Sequence, residues 1–160
     1  MQIRGFHVLG PPSAQDPKAR NFQVNYLLDT NACIALINDK PMSVRSRFQK
    51  AVSAGSQIFV SSITAFELWY GVRKSSREEF NTRRLQTFLA GPIIRLPFED
   101  EDAAAAGSVR AFLETSGKPI GAYDLLVAGQ ALQRQLTLVT ANVAEFSRVK
   151  GLVWQDWAKS

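Results

Sequence analysis

The chain has 160 residues, of which 46% are hydrophobic and 21% charged, as is typical of a single soluble globular domain. Its one cysteine, Cys33, excludes an intramolecular disulfide, and the absence of an apolar run of membrane-span or signal-peptide length predicts a cytoplasmic protein. The formal net charge of +5 permits binding to nucleic acid but does not establish it.

Residues 1–23 differ from the rest of the sequence. They are rich in proline and polar residues and show neither a helical nor a strand period. We interpret them as a disordered or extraneous N-terminal arm, with a basic RNA-binding arm as the alternative. Residues 24–160 are predicted to form the folded domain.

From residue 24 onward, strand-like and helix-like segments alternate. This pattern predicts an α/β protein with three α/β/α layers, in which helices flank a mainly parallel central sheet. Thr30 is the predicted cap of the first helix. In chain order the pattern predicts strand 24–29, helix 30–37, helix 43–54, strand 58–61, helix 62–74, helix 78–90, strand 93–98, a helix from 100 or 101 to 115, helix 121–133, strand 136–140, a short helix 143–146 and a terminal strand within 152–157.

Three acidic residues interrupt apolar segments of this pattern. Asp29 ends the first strand, Glu67 falls in the second turn of a helix, and Asp124 falls in the first turn of another helix. A carboxylate in such a place is costly unless it is paired, hydrogen-bonded or bound to a metal. Sites in parallel sheets lie beyond the carboxyl ends of the strands, where Thr140 and Asn142 also fall. We therefore expect a shared site for a hard divalent cation at this edge.

Each of these polar residues also has an ordinary structural explanation. No single residue decides between the two explanations, but a common location for all of them favours a site. The ordinary explanations are a helix cap for Asp29, a capping box with Thr64 for Glu67, a helix-dipole contact for Asp124, a turn for Asn142 and a surface position for Glu145.

Other common kinds of catalytic site are excluded by composition. His7 is the only histidine and lies in the predicted arm, which excludes a ribonuclease based on paired histidines and argues against a Ser-His-Asp triad. The sequence has no Cys/His zinc spacing and no Walker-type glycine loop.

Four segments resemble, in order, the motifs of PIN-domain ribonucleases, and more narrowly those of the VapC toxins of bacterial toxin–antitoxin pairs. The resemblance covers about residues 25–160, and residues 151–157 are similar to the C-terminus of a subset of these toxins. Asn142 stands at the fourth acidic position of many members, and Ala122 stands where many have proline. The four segments are 27–31, 64–71, 119–124 and 139–146.

The resemblance implies an endoribonuclease that depends on Mg²⁺ or Mn²⁺ and promotes in-line attack of an activated water on a phosphodiester. It implies Asp29 and Asp124 as the main metal ligands and Glu67 as a ligand or water-orienting base. The remaining implied residues are Asn142 and Glu145 in the catalytic set, Thr140 in support, and Asn31 as a partner of Asp29 or of a water.

The resemblance also implies partners: a structured RNA, a VapB-like antitoxin that covers the acidic site, and a second copy in a homodimer, with no membrane. Initiator tRNA, cut at its anticodon stem-loop, is the predicted substrate. Two rival functions remain open: a PIN-fold module that binds RNA or protein without cutting, and a metal-dependent DNA nuclease or phosphatase.

Several basic residues and the aromatic residues of the predicted helices are candidate contacts for RNA. Arg45, Arg73 and Arg148 are candidate phosphate contacts, with solvated helix faces as the alternative. The helical aromatic residues are predicted mainly as core or as a partner surface, and less as platforms for base stacking. They are Phe48, Phe66, Trp69, Tyr70, Phe80 and Phe88.

Overall fold

A computed structural model describes residues 23–159, so nearly all of the predicted N-terminal arm lies outside the described residues. Five strands and seven helices follow one another from Tyr26 to Gln155. They are β1 (Tyr26–Leu28), α1 (Thr30–Asn38), α2 (Met42–Ser53), β2 (Ile58–Ser61), α3 (Ser62–Lys74), α4 (Glu78–Leu89), β3 (Ile94–Leu96), α5 (Asp100–Thr115), α6 (Ala122–Arg134), β4 (Thr137–Val139), α7 (Val143–Phe146) and β5 (Trp154–Gln155).

The strands form one sheet in the order β3-β2-β1-β4-β5, and each pair of neighbours is parallel. Parallel neighbours need crossover connections, which the helices supply. The chain runs outward from β1 to β2 and β3, and then returns to the other side of β1 as β4. The carboxyl ends of β1 and β4 therefore mark the point where the strand order reverses, which is where open α/β sheets place their sites.

Successive residues of β1 face opposite sides of the sheet and belong to two separate cores. Leu28 packs with Leu36 of α1 and Leu68 of α3, whereas Leu27 packs with Leu113 of α5 and Val127 of α6. Both leucines of β1 are fully buried. A sheet covered on both faces explains the continuous apolar runs of its strands and confirms the predicted three-layer α/β/α architecture.

The packing of α6 against α5 fixes the position of Asp124. A Cβ atom at Gly129 would lie 2.5 Å from the Ala106 backbone, so only glycine permits this close approach. The buried carboxylate of Asp102 accepts hydrogen bonds from Arg134 Nε (2.9 Å) and Gln130 Nε2 (3.1 Å). These bonds join the beginning of α5 to the end of α6. This second buried acid therefore has a structural role, and its hydrogen bonds lower its pKa.

The first helix begins at Thr30, as predicted, but the residue that caps it differs from the prediction. Asp29, with extended backbone angles, is its N-cap and accepts a hydrogen bond from the Ala32 N–H at 2.7 Å. The prediction that Thr30 is the cap is therefore wrong, because the Thr30 hydroxyl is used elsewhere, as described below. In residues 23–159, no helix has both the length and the apolar character required to cross a bilayer.

Candidate active site

Asp29 lies at the carboxyl end of β1, where the strand order reverses. Its backbone N–H donates to the Val139 carbonyl at 3.0 Å, and its side chain also bonds with Thr140, which follows β4. Only 5% of Asp29 is exposed, and burial raises its pKa against the lowering effect of the bonds from Thr140 and Ala32. Asp29 is thus both a helix cap and a buried acid at the sheet edge.

Glu67 lies in the second turn of α3, which leaves the neighbouring strand β2. Its Oε1 accepts a hydrogen bond of 2.8 Å from the Thr30 hydroxyl of α1. The alternative of a capping box with Thr64 is wrong, because Ser61 is the N-cap of α3 and accepts from the Ile63 N–H. The negative charge of Glu67 raises the pKa of both Asp29 and Asp124, which places the three acids in one electrostatic neighbourhood.

Asp124 lies in the first turn of α6 and forms a hydrogen-bonded pair with Glu145. Burial, the bond and charge of Glu145, and the charges of Asp29 and Glu67 together raise the pKa of Asp124 to about 7. A helix N-terminus favours an ionised carboxylate, so the helix dipole alone does not account for this shift. Asp124 therefore holds a proton at pH values where an ordinary carboxyl has lost it.

Glu145 is the ionised member of this pair. The bond from Asp124, together with those from Asn142 and the Gly121 N–H, lowers its pKa, and the nearby charge of Arg148 adds to this effect. The Asn142 side-chain amide donates to Asp124 Oδ2 at 3.2 Å and to Glu145 Oε2 at 3.0 Å. The turn and surface explanations for these two residues are therefore incomplete.

Some predicted site residues lie apart from the acids. Arg45 forms an ion pair of 2.6 Å with Asp39, at the opposite end of α1 from Asp29, and Arg73 pairs with Glu78. Arg148 is different, because it donates to the Pro119 carbonyl at 3.1 Å and acts on Glu145. Asn31 is exposed, and no hydrogen bond to Asp29 from its side chain occurs among residues 23–159, so only its predicted contact with a water stays open.

Sequence reasoning missed two contributors. The Thr30 hydroxyl holds Glu67, whereas the sequence indicated only a cap. Asp156 follows β5 at the same edge, and its charge raises the pKa of Asp29. Had the last strand been predicted to end before Asp156, this residue would have been identified, because polar residues that directly follow parallel strands lie at the edge where sites form.

The donor set fits a hard divalent cation in its chemistry. It consists of carboxylate, hydroxyl and amide oxygens, and the mutual repulsion of the acids is relieved by a positive charge. The arrangement is not a ready-made cage: within residues 23–159, no three His, Cys, Asp or Glu side chains already have metal-holding geometry. In the metal-free arrangement, Glu67 Oε1 accepts from the Thr30 hydroxyl and Asp124 Oδ2 accepts from the Asn142 amide.

Comparison with known proteins identifies the family. Residues 26–152 match the PIN domain. A Shigella flexneri protein described as tRNA(fMet)-specific endonuclease VapC is 42% identical over 138 residues, covering 84% of this chain and 99% of that protein. A Salmonella typhimurium protein with the same description is 40% identical over 137 residues, covering 84% and 98% of the respective chains.

Solved structures give the same result. VapBC2 from Rickettsia felis, bound to a DNA fragment from its promoter, superposes with a TM-score of 0.79 at 36% identity, covering 84% of this chain and 99% of that chain. DNA-bound VapBC from Salmonella typhimurium superposes with a TM-score of 0.77 at 38% identity, covering 84% and 98%. Because these relatives are matched over nearly their whole length, the chain belongs to the PIN domain family, in its VapC ribonuclease branch.

Proposed function

We propose that this protein is an endoribonuclease toxin that hydrolyses phosphodiester bonds in structured RNA, with initiator tRNA as its substrate. The single observation that carries the chemistry is the coupling of four acids, Asp29, Glu67, Asp124 and Glu145, at the edge where the strand order reverses. The substrate assignment is supported by relatives described as specific for tRNA(fMet). We further propose that the cut falls in the anticodon stem-loop.

The proposal includes Mg²⁺ or Mn²⁺ held by Asp29, Asp124 and Glu67. When bound, such a cation stabilises charge on the phosphate and lowers the pKa of an attacking water. Asp124 would be a ligand in its ionised form, although its raised pKa favours the protonated form in the absence of a cation. Thr30 fixes the Glu67 carboxylate, and Asn142 keeps Asp124 and Glu145 together. These hydrogen bonds would orient the carboxylates that hold the cation.

A VapB-like antitoxin is the proposed inhibitor, since structural relatives are VapBC complexes. A mainly apolar groove of about 290 Å³ between α1, α3 and α4 supports this assignment. Ile34, Leu68 and Val72 line the groove, and Glu67 lies along it, so a segment seated there reaches the acidic site. We further propose that the toxin is a homodimer and acts in the cytoplasm.

The decisive experiment compares the full-length protein with its Asp29→Ala variant on RNA, single-stranded DNA and a small phosphate ester. The expected result is cleavage of RNA alone, which requires Mg²⁺ or Mn²⁺ and stops with EDTA or with the variant. Glu114→Ala is the matched control, since it removes an exposed acid from α5. Mapping new 5′ ends in a total tRNA preparation identifies the substrate.

Other outcomes would overturn the proposal. Cleavage of DNA or of the ester in preference to RNA identifies a different metal-dependent hydrolase. RNA binding without cleavage in either metal identifies a silent binding module.

A further inference from the structure

Two exposed aromatic side chains contact each other across α3 and α6. The ring centroids of Phe66 and Tyr123 lie 5.5 Å apart with their planes tilted by 58°. Phe66 is 53% exposed and Tyr123 is 47% exposed, so neither belongs to a core. The sequence-based prediction offered core, partner surface or base-stacking platform; Phe48 lies in a core, whereas for the exposed Phe66 the partner-surface and stacking alternatives remain.

The position of this pair links it to the candidate active site. Phe66 directly precedes Glu67 and Tyr123 directly precedes Asp124, so each ring is carried one residue from a catalytic carboxylate. Consecutive Cα atoms are about 3.8 Å apart, so the helical turns of α3 and α6 that carry the two rings also carry the two carboxylates.

The aromatic surface continues along α3. Tyr70 lies one helical turn after Phe66 and is 58% exposed. The Lys74 ammonium lies 5.6 Å from the Tyr70 ring centroid. Along α3, with increasing distance from Glu67, the surface thus changes from uncharged aromatic rings to an ammonium group that can bind a phosphate.

We propose that Phe66 and Tyr123 form a platform that stacks an unpaired nucleobase beside the scissile phosphate, with Tyr70 and Lys74 extending the path of the RNA strand. This inference rests on the proposed ribonuclease function. Carboxylates at the site repel the phosphates of any RNA, and base stacking supplies attraction without adding a charge that competes for the cation. Each ring restricts the rotamers of the other, which lowers the entropy lost on binding.

The platform predicts a preference for unpaired nucleotides without a strong preference among bases. Every base has a face that can stack on an aromatic ring, whereas base pairing in a stem hides that face. A loop in a structured RNA satisfies this requirement, and a continuous duplex does not.

The test is a double-mutant cycle, in which one change removes a ring from the protein and the other removes a base from the RNA. The substrate is a synthetic RNA hairpin cut by the wild-type protein, together with copies in which each nucleotide flanking the cut is abasic. We expect removal of one flanking base to lower kcat/KM by roughly tenfold for the wild type. Phe66→Leu and Tyr123→Leu should lower kcat/KM on the intact hairpin to a similar degree and be nearly indifferent to base removal. Phe80→Ala, which removes an exposed aromatic from α4, should keep the full dependence on the base.

Three results would overturn the platform. The first is a wild type indifferent to base removal at both flanking positions. The second is a leucine variant that retains the full dependence on the base. The third is a variant that dissociates a dimer, as measured by light scattering, while its dependence on the base is unchanged; that result identifies the pair as an interface between copies of the chain.

A direct optical measurement separates failure of the platform from failure of the ribonuclease assignment. An oligoribonucleotide carrying 2-aminopurine is titrated with full-length protein in EDTA, so that no cleavage is required. Stacking quenches its fluorescence, and we expect this quenching with wild type and its loss with Phe66→Leu. If the protein cuts no RNA but quenches the fluorescence, the stacking platform stands and the ribonuclease assignment fails. If it cuts RNA with neither quenching nor dependence on the base, the ribonuclease assignment stands and the platform fails. Circular dichroism melting of each variant verifies that it is folded.

Discussion

Asp124 and Glu145 are joined by the side-chain amide of Asn142, which donates to both carboxylates, and together with burial the bond and charge of Glu145 raise the pKa of Asp124 to about 7. The fold brings several carboxylates into one small region, where their negative charges would repel one another. A proton lets Asp124 and Glu145 lie together at neutral pH, and a cation can later take its place. Under the proposed function, metal binding at this site would therefore be accompanied by proton release.

Removal of the Glu145 charge should make Asp124 a stronger acid. In Glu145→Gln, burial and the charges of Asp29 and Glu67 remain, so the pKa of Asp124 should fall from about 7 but stay above its ordinary value. Carbon-13 NMR titration of the metal-free protein measures this directly. The pH at which cleavage rises should move down in the same variant, and an unchanged titration curve would refute the effect of Glu145 on Asp124.

The metal-free protein should lose stability as pH rises from about 4 to about 7. Asp124 has a folded-state pKa of about 7 against an ordinary 3.8, so the folded protein binds more protons in this interval. Burial raises the pKa of Asp29 in the same direction. Because Asp124 is partly exposed, its contribution is discounted to about 1–2 kcal/mol.

Urea unfolding at a series of pH values measures this effect, and Asp124→Asn should flatten the curve. Asp102 does not interfere, because its pKa is lowered and its contribution is lost only at more acidic pH. A wild-type stability that rises through this interval would contradict the assignment.

The two roles of Asp29 can be separated by substitution. Asp29→Asn keeps an oxygen that can accept from the Ala32 N–H but loses the charge, so activity should be lost while the helix cap survives. Asp29→Ala should lose the activity and also about 1 kcal/mol of capping energy, partly offset by relief of repulsion. Thermal melting beside the cleavage assay distinguishes them; activity in Asp29→Asn would show that its charge is dispensable.

Thr30 should affect activity more than stability. Thr30→Val removes the hydroxyl that holds Glu67 Oε1, while the cap at Asp29 remains. We expect kcat/KM to fall by about tenfold and the free energy of unfolding to change by about 1 kcal/mol or less. Thr30→Ser retains a hydroxyl and should recover most of the activity, and equal losses in both variants would argue against the hydrogen bond.

Gly129 should be intolerant of any side chain. A Cβ would meet the Ala106 backbone at 2.5 Å, and backbone cannot move aside as a flexible side chain can. Gly129→Ala should therefore destabilise the protein by about 1–3 kcal/mol, despite the higher helix propensity of alanine. Gly107→Ala is the matched control, since a Cβ at that position of α5 meets nothing within 4 Å, and it should not destabilise.

Much of this architecture was predictable because it depends on local pattern. Alternating segments gave the order of strands and helices, and Asp29, Glu67 and Asp124 were identifiable because each interrupts an apolar run. Their shared edge followed from the geometry of parallel sheets. Boundaries were less certain: strand 24–29 shortens to Tyr26–Leu28 once Asp29 turns to cap α1.

The remaining features depend on distances between side chains that no sequence pattern specifies. The bond between Thr30 and Glu67 joins two helices that are 37 residues apart in the chain. The aromatic residues of α3 differ in burial although they are close in sequence, because Phe66 faces solvent and Trp69 packs against a core. Arg45 and Arg148 carry the same charge, yet of these two only Arg148 acts on a site carboxylate.

The reversal of strand order also affects how the protein is made. Asp29 and Glu67 are synthesised early, whereas Asp124, Asn142 and Glu145 emerge late, and β4 must insert beside β1 before the two groups can meet. While the last third of the chain is still being synthesised, Asp29 and Glu67 therefore lack their partners Asp124, Asn142 and Glu145. Translation therefore delays the appearance of the complete acidic site until β4 has emerged and paired with β1.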